Sequence, residues 1–417
     1  MNETFGALVS AQNAVEIPFI IVQIGNYTFG HCDKSNKSRL NSQFKITFPN
    51  YMESLNITKI NGAINTYTLT MTYAITQDDD PNRLEKVFSS VANSRTVIFK
   101  YGDWGVPNYI YKEEEAIITK LTTKVNVKNS TITYVVNCTS KALSLTAGSF
   151  SFPARNAKPS DVIIELLNNS RYGLKDIFKG MSSAGSSINN FIARDDKVVQ
   201  IEAKPSIGIF DYISYLVSCM TWTSDTGDKL KQSCYFWSTY DDTSNKYGGT
   251  YFKVVRVDTN TPMQVSYNTY EVDIGYPSPD CVMDFNVNND DSWALLYDYA
   301  GQIHLPEYSY HINNEGQLVQ DNSGILTASR LTYQTNEATK NWWSLVTQFP
   351  ITATLTIRGL LRPAMLMSYV KVNTYFYGHK HDSSGLYIIT KQQDTINASG
   401  YRTVLSLTRV GGDKNYA

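Results

Sequence analysis

The sequence has little charge, no paired-cysteine motif and no membrane-length apolar run, and each shortage closes off a class of protein. Charged residues make up only 18% of the 417, and 37 basic against 38 acidic side chains leave a formal net charge of −1. No global field therefore draws the chain to nucleic acid or to an anionic membrane. The five cysteines, Cys32, Cys138, Cys219, Cys234 and Cys281, are odd in number and widely spaced, with no C-x-x-C. That pattern argues against both a disulfide framework and a zinc site. The apolar run "IPFIIVQI", Ile17 to Ile24, is far too short to span a bilayer and reads as a buried strand. The opening "MNETFGALVS" lacks the basic start and apolar core of a secretory signal. A reducing cytoplasm is thus the expected place of synthesis, and the sequons at Asn26 and Asn397 carry no glycan argument.

Catalytic motifs are missing too. There is no Walker loop, no G-x-G-x-x-G and no H-E-x-x-H. "GMSSAG", Gly180 to Gly185, approaches a nucleophile elbow but has Ala184 where glycine is required, and its serine-rich surroundings make it a linker. "DDTSNKYGGTYF", Asp241 to Phe252, starts like a calcium loop, then places Lys246 where glycine is needed and Phe252 where glutamate is needed. His379-Lys380-His381-Asp382 is the most ligand-like cluster, since residues i and i+2 of a strand project from one face. The Ser383-Ser384-Gly385 that follows favours a solvated turn. His31 beside Cys32 has no second pair. The runs Asp78–Asp80, Glu113–Glu115 and Asp290-Asp291 read as solvated loops, with nothing bringing two of them together for acid–base work. No residue is assigned a catalytic, cofactor-binding or metal role, and the chain reads as a non-enzyme without cofactors.

What is plentiful is tyrosine, 29 residues, alongside much Thr, Ser and Asn. Low charge with these residues suits β-sheet surfaces that contact other protein. The length exceeds one comfortable core and suggests two or three domains. Residues 1–145 read as strands around the Asn61-Gly62 turn, with a short helix from Pro81 to about Ala92, started by Asp80. Residues 146–258 read as a mixed α+β section. Its helices are one capped by Ser160, with Val162, Ile163, Leu166 and Leu167 as its apolar stripe, and one with Ile209, Ile213, Leu216 and Met220 on one face; a hairpin follows around Gly248-Gly249. From 259 to 417 β patterning resumes, interrupted by a polar insertion near 301–324 that reads as a hairpin or long loop. The fold class is mainly β, α+β overall.

One detail links the outer sections. Ile-Ile-Thr-Lys occurs in "AIITKLTTKVNVKNSTITYVVNCT" and again in "YIITKQQDTINASGYRTVLSLTRV", each time opening two strands joined by a polar turn. Ile118 and Ile389 each lie fourteen residues before a position of an alternating run, Ile132 and Thr403. Two copies of one β unit flanking a different middle section is the expected architecture. The second copy's helix is expected around Trp342, Trp343 and Leu345.

The C-terminal stretch also resembles a family. "SGLYIITKQQDTINASGYRTVLSLTRVGG" is similar to the closing hairpin of the central baseplate hub proteins of contractile phage tails and related injection machines. The matching positions include Ser384, Gly385, Tyr387, Ile389, Asp394, Ile396, Gly400, Tyr401, Thr403, Leu405, Leu407, Arg409 and Val410. "IPFIIVQIGNYTFG", "KPSDVIIELLNNSRYGLKDIF" and "GIFDYISYLVSCMTW" resemble other segments of such hubs. The resemblance implies two tail-tube-like β-barrels per chain and a homotrimer adapting a sixfold tail tube to a threefold central spike. It further implies contacts with the tube protein, the spike protein and other baseplate proteins, in a virion tail assembled in the host cytoplasm. DNA would pass through a lumen without specific binding, and no stable membrane insertion is implied. Asp78–Asp80 would suit the lumen wall or the ring contacts. Two other readings compete. A receptor-binding adhesin would use exposed Trp293, Trp342 or Trp343, and a cell-wall hydrolase scaffold would need a carboxylate or Cys/His pocket.

Overall fold

The computed structural model describes residues 17–32, 36–49, 52–77, 80, 82–90, 95–105, 112–183, 191–221, 234–241, 249–257, 268–274, 282–289, 309–312, 318–321, 351–359 and 366–412. The chain opens with β1 (Pro18–Ile24), β2 (Tyr27–Cys32), α1 (Lys37–Gln43), β3 (Phe48–Pro49), β4 (Met52–Ile60) and β5 (Thr66–Ala74). It continues with α2 (Arg83–Ser90), β6 (Thr96–Asp103), β7 (Lys112–Asn126) and β8 (Thr131–Thr139). The middle holds β9 (Phe150–Phe152), β10 (Arg155–Ala157), α3 (Pro159–Asn168), α4 (Leu174–Ile177), α5 (Lys179–Ser183), β11 (Val199–Ile201), β12 (Lys204–Ile207), α6 (Ile209–Ser218), β13 (Cys234–Asp241) and β14 (Thr250–Val257). The last part holds β15 (Asn268–Ile274), β16 (Val282–Asn289), β17 (Ser309–Ile312), β18 (Leu318–Asp321), β19 (Ile351–Arg358), β20 (Tyr369–Phe376), β21 (His379–Lys380), β22 (Gly385–Asn397) and β23 (Gly400–Gly412).

The molecule is mainly β. Fifteen strands form one sheet whose path runs β16-β19-β23-β22-β4-β5-β8-β7-β6-β1-β2-β3, with β20 attached to β22 and both β15 and β21 attached to β20. Strict alternation explains the strands: in β5, Tyr67, Leu69, Met71 and Tyr73 are buried while the threonines between them face outward. α2 lays Leu84 and Val87 onto the same core.

The same five-strand order occurs twice, as β4-β5-β8-β7-β6 and as β16-β19-β23-β22-β20, with every neighbouring pair antiparallel. The registers match in detail. In β7 the pairing with β8 slips between Ile118 and Lys120, and in β22 the pairing with β23 slips between Ile389 and Lys391. The threonine of each Ile-Ile-Thr-Lys is therefore the extra residue of a β-bulge. A second bulge recurs at Glu53 in β4 and at Met283 in β16. The fourteen-residue spacing is not the equivalence itself: Ile132 stands opposite Val125, whereas Thr403 stands opposite Asp394. The first turn, between Asn126 and Thr131, is two residues longer than the second, between Asn397 and Gly400, so Thr403 corresponds in register to Tyr134.

In the middle section α3 buries Val162, Ile163, Leu166 and Leu167, and α6 buries Ile209, Tyr212, Ile213, Leu216 and Val217. Ser160 is not the cap of α3: the N-cap is Lys158, without a side-chain bond, and Asp195 accepts from the Ser160 amide at 3.0 Å. An acceptor from a loop 35 residues away thus does the work expected of a local hydroxyl. Met220 is buried beyond the end of α6. β13 and β14 form the expected hairpin. In the polar insertion β17 and β18 pair as a hairpin. The helix expected around Trp342, Trp343 and Leu345 lies outside the described residues. The apolar core of the middle section is continuous with that of the second repeat, while Ile396 and Tyr401 of the second repeat belong to the core of the first.

Candidate functional site: the junction and the free edges

The two repeats become one sheet where β4 meets β22. Residues Ser54–Ile60 pair antiparallel with Lys391–Asn397, placing Leu55 opposite Ile396 and Lys59 opposite Gln392. Leu55 and Ile396 are both fully buried. Thr395 Oγ1 donates to Asn56 Oδ1 at 3.0 Å, and the Asn61 amide donates to the carbonyl of Thr390, the bulge residue, at 2.9 Å.

Buried polar groups from all three sections converge under this seam. Lys59 donates to Glu114 Oε1, Tyr101 OH donates to the same oxygen at 2.6 Å, and Tyr67 OH donates to Oε2 at 2.8 Å. Asp241, at the end of β13, accepts from Ser140 Oγ at 2.7 Å and from Asn65 Nδ2 at 3.0 Å, with Tyr67 OH 3.2 Å away. Across the seam Asp394 accepts from Thr403 Oγ1 at 2.5 Å, Gln392 Nε2 at 2.8 Å and Tyr401 OH at 3.2 Å. The Tyr101 and Tyr401 rings meet edge to face at 5.9 Å. The β4–β5 turn docks on β13 as well: Gly62, at φ 64°, donates its amide to Trp237 O at 2.7 Å, and the Trp237 amide donates to Asn61 Oδ1 at 3.0 Å. Further along, Arg358 Nη2 donates to Asp103 Oδ2 at 3.1 Å, both side chains buried, while Asp103 Oδ1 accepts from the amides of Ile17 and Gly105 at 2.8 Å each.

Burial sets the electrostatics of this cluster and pairing corrects them. Burial raises the Glu114 pKa, but the Lys59 ammonium and the Tyr101 hydroxyl outweigh it, and the net direction is downward. Burial disfavours the Lys59 ammonium, but Glu114 outweighs it and the pKa is raised. For Asp241 burial wins over the Ser140 and Asn65 hydrogen bonds, and its pKa is raised. The Tyr67 hydroxyl lies between the two carboxylates, 2.8 Å from Glu114 Oε2 and 3.2 Å from Asp241 Oδ2. Such an enclosed set of partnered charges holds sections together.

The residues singled out in the sequence fall elsewhere or play other parts. His379 lies in the short strand β21 and His381 just beyond it, both exposed, and His381 Nδ1 accepts from the Ser383 amide at 3.2 Å. Among the described residues no group of three or more His, Cys, Asp or Glu could hold a metal ion. Glu113–Glu115 are not a solvated loop: they lie in β7, where Glu113 pairs with Lys100 at 2.9 Å, Glu115 pairs with Lys141 at 2.6 Å and Glu114 is buried. Strand alternation turns Glu114 inward, and Lys59, Tyr67 and Tyr101, from other strands, make that tolerable. Asp80 is exposed and its carboxylate accepts from the Asn82 amide at 2.9 Å. Asp78, Asp79, Asp290, Asp291, Trp293, Trp342 and Trp343 lie outside the described residues. Of the elbow-like stretch only Gly180–Ser183, in and around α5, is described. Of the loop resembling a calcium site, Asp241 belongs to the buried cluster instead. His31 sits in β2, where burial lowers its pKa, and Cys32, Cys138 and Cys219 are buried free thiols. A depression over β16, β19 and β23, lined by Asn286, Thr354, Ser406 and Thr408 among others, contains no titratable side chain.

Among the strand edges left unpaired in the described residues, two are the counterparts of the seam. β6 covers β7 only as far as Ile117, so the edge of Lys120–Asn126 away from β8 has no strand partner. β16 ends the sheet path beyond β19. Sequence reasoning saw neither the junction nor these edges. The repeated tetrapeptide was the available signal, since it marks where each hairpin bends away from one neighbour toward the next.

No protein-family model matches the chain, and no curated protein matches it. Among solved structures, the 43 kDa tail protein of prophage MuSo2 from Shewanella oneidensis aligns over 94% of this chain and 98% of its own, with a TM-score of 0.50 at 12% identity. A tail protein from Neisseria meningitidis aligns over 94% and 96%, with a TM-score of 0.47 at 10% identity. The c3393 protein of E. coli, a component of the type VI secretion system, aligns over 87% and 75%, with a TM-score of 0.44 at 9% identity. The chain shares, along nearly its whole length, the fold of a prophage tail protein.

Proposed function

We propose that the chain is a structural hub of a contractile phage tail baseplate, a non-enzymatic adaptor between a sixfold tube and a threefold spike. The observation that carries this reading is the doubled five-strand unit, joined edge to edge by β4 and β22 within one chain. Three such chains present six similar units in a ring while keeping threefold symmetry on the other side. In this reading residues 1–145 and 259–417 form the two tube-like barrels and residues 146–258 the middle domain. The tube protein stacks on the ring, the trimeric spike docks below, and other baseplate proteins surround it in the virion. DNA passes through the lumen at ejection, past a wall that is polar and not basic, since basic side chains would hold phosphates. The enclosed polar cluster supports the reading, because it fixes the angle between the two units in each chain.

Mass photometry of the full chain and symmetry analysis of the tail particle test this function. The expected result is a trimer in solution and a threefold ring directly beneath the tube. A stable monomer in both settings, or a position away from the tail axis, overturns it.

A further inference from the structure

The seam inside one chain is a template for a seam between chains. β22 receives β4 on the edge of Lys391–Asn397 that follows its bulge. The equivalent edge in the first repeat, Lys120–Asn126 after the bulge of β7, receives nothing among the described residues. The strand equivalent to β4 in the second repeat is β16, and its outer edge also has no strand partner among the described residues. Each chain therefore offers one strand of the β4 kind and one groove of the β22 kind, each lacking its counterpart.

Resting on the trimer reading above, we propose that β16 of one subunit pairs antiparallel with Lys120–Asn126 of β7 in the next subunit, repeating the β4–β22 seam. The two bulges fix the register. Lys391 and Lys120 each follow a bulge, as do Ser54 and Asp284. Carrying the Leu55–Ile396 pair over sets Phe285 opposite Val125, and carrying the Asn56–Thr395 pair over sets Asn286 opposite Lys124. Asn126 then faces Asp284.

The surface chemistry fits that occupant. Val125 is 65% exposed, Val287 39% and Met283 50%, large apolar side chains left in water along two strand edges. Pairing covers Val125 and Val287 from their cross-strand neighbours. Lys124 comes diagonally beside Asp284, and the Asn56–Thr395 hydrogen bond gains a counterpart in Asn286 accepting from Lys124. An exposed edge invites uncontrolled association unless it is covered. A head-to-tail contact that repeats the intrachain step closes after three chains, so neither of these two edges remains open.

Cysteine pairs read the register directly. Hydrogen-bonded and non-hydrogen-bonded pairs alternate along an antiparallel ladder, and side chains are closer in the latter. Two double variants therefore cover both classes, Val125→Cys with Phe285→Cys and Lys124→Cys with Asn286→Cys. On mild oxidation of the purified full chain, at least one gives covalent dimers and trimers on a non-reducing gel, while each single variant gives none. Val125→Cys with Asn289→Cys, about 13 Å out of register, serves as the control and gives none. A trimer by mass photometry with no product from either in-register pair overturns the edge pairing and leaves the trimer standing. A monomer overturns both. Product from the control equal to that from the in-register pairs overturns the register.

Discussion

The hairpins β7–β8 and β22–β23 carry the same tetrapeptide, the same bulge and the same asparagine before the turn, yet they meet different surroundings. Beyond the bulge, β22 alternates between buried and half-buried residues, and its Ile396 is fully enclosed. The corresponding stretch of β7 is mostly exposed, with Val125 in the place of Ile396. Nothing in the two hairpins' local geometry explains this. The difference is β4, which lies along one hairpin and not the other. Side chains follow suit: the covered edge encloses Asp394 with three donors, whereas the open edge carries Lys120 and Lys124, a common guard for unpaired strands.

The largest effect is expected at the buried charges beside the covered seam. Removing one partner strands the other, so Glu114→Gln should cost about 3–5 kcal/mol at neutral pH in urea unfolding. The Glu114 pKa is lowered on folding, so its contribution is full above the ordinary glutamate range and disappears as pH falls through the depressed value. The gap between wild type and variant should therefore narrow in acid. Asp241 has the opposite sign: its pKa is raised, and the stability it contributes is lost as pH rises through that value. Asp241→Asn should accordingly improve relative to wild type as pH rises from 4 toward 7 (about the ordinary carboxylate range upward). A constant difference across that range would remove the electrostatic account.

The seam itself gives the next contrast. Leu55→Ala or Ile396→Ala should cost about 2–5 kcal/mol by opening a cavity, while Val125→Ala should stay within about 0.5 kcal/mol for unfolding of the subunit. Equal losses in the dissociated subunit would mean that both hairpins are covered within one chain. The turns give a smaller, opposed pair. Gly400 has φ 141° and follows the short turn, whereas Ser130 closes the long turn at φ 49°. Gly400→Ala should destabilise by about 1 kcal/mol or more, and Ser130→Gly should be neutral or stabilising by a few tenths. Smallest of all, His379→Ala and His381→Ala, at exposed positions in and just after β21, should change the unfolding free energy by no more than about 0.5 kcal/mol.

Gly359 shows how far local pattern falls short. A Cβ there would run into the Tyr401 ring, and the Gly359 amide donates to Tyr401 O at 2.9 Å. In sequence it is only a glycine after a strand; its constraint comes from a tyrosine 42 positions away.

Local pattern was enough for the alternating strands such as β5, for the helices α2, α3 and α6, for the Asn61-Gly62 and Gly400 turns, and for the kinship of the two outer sections. Those features depend on alternation, periodicity and turn chemistry within a dozen residues, where side-chain direction follows the backbone. Tertiary structure alone decided that Glu114 is buried rather than solvated, that Asp195 rather than Ser160 serves α3, and that Asp241 joins a polar cluster under the seam. It also decided that β4 covers β22 while Lys120–Asn126 stays open. These outcomes depend on pairing between residues from 35 to 339 positions apart. A strand's hydrogen-bonding edge is the same backbone whatever its side chains, so which edge finds a partner is settled only when the whole sheet closes.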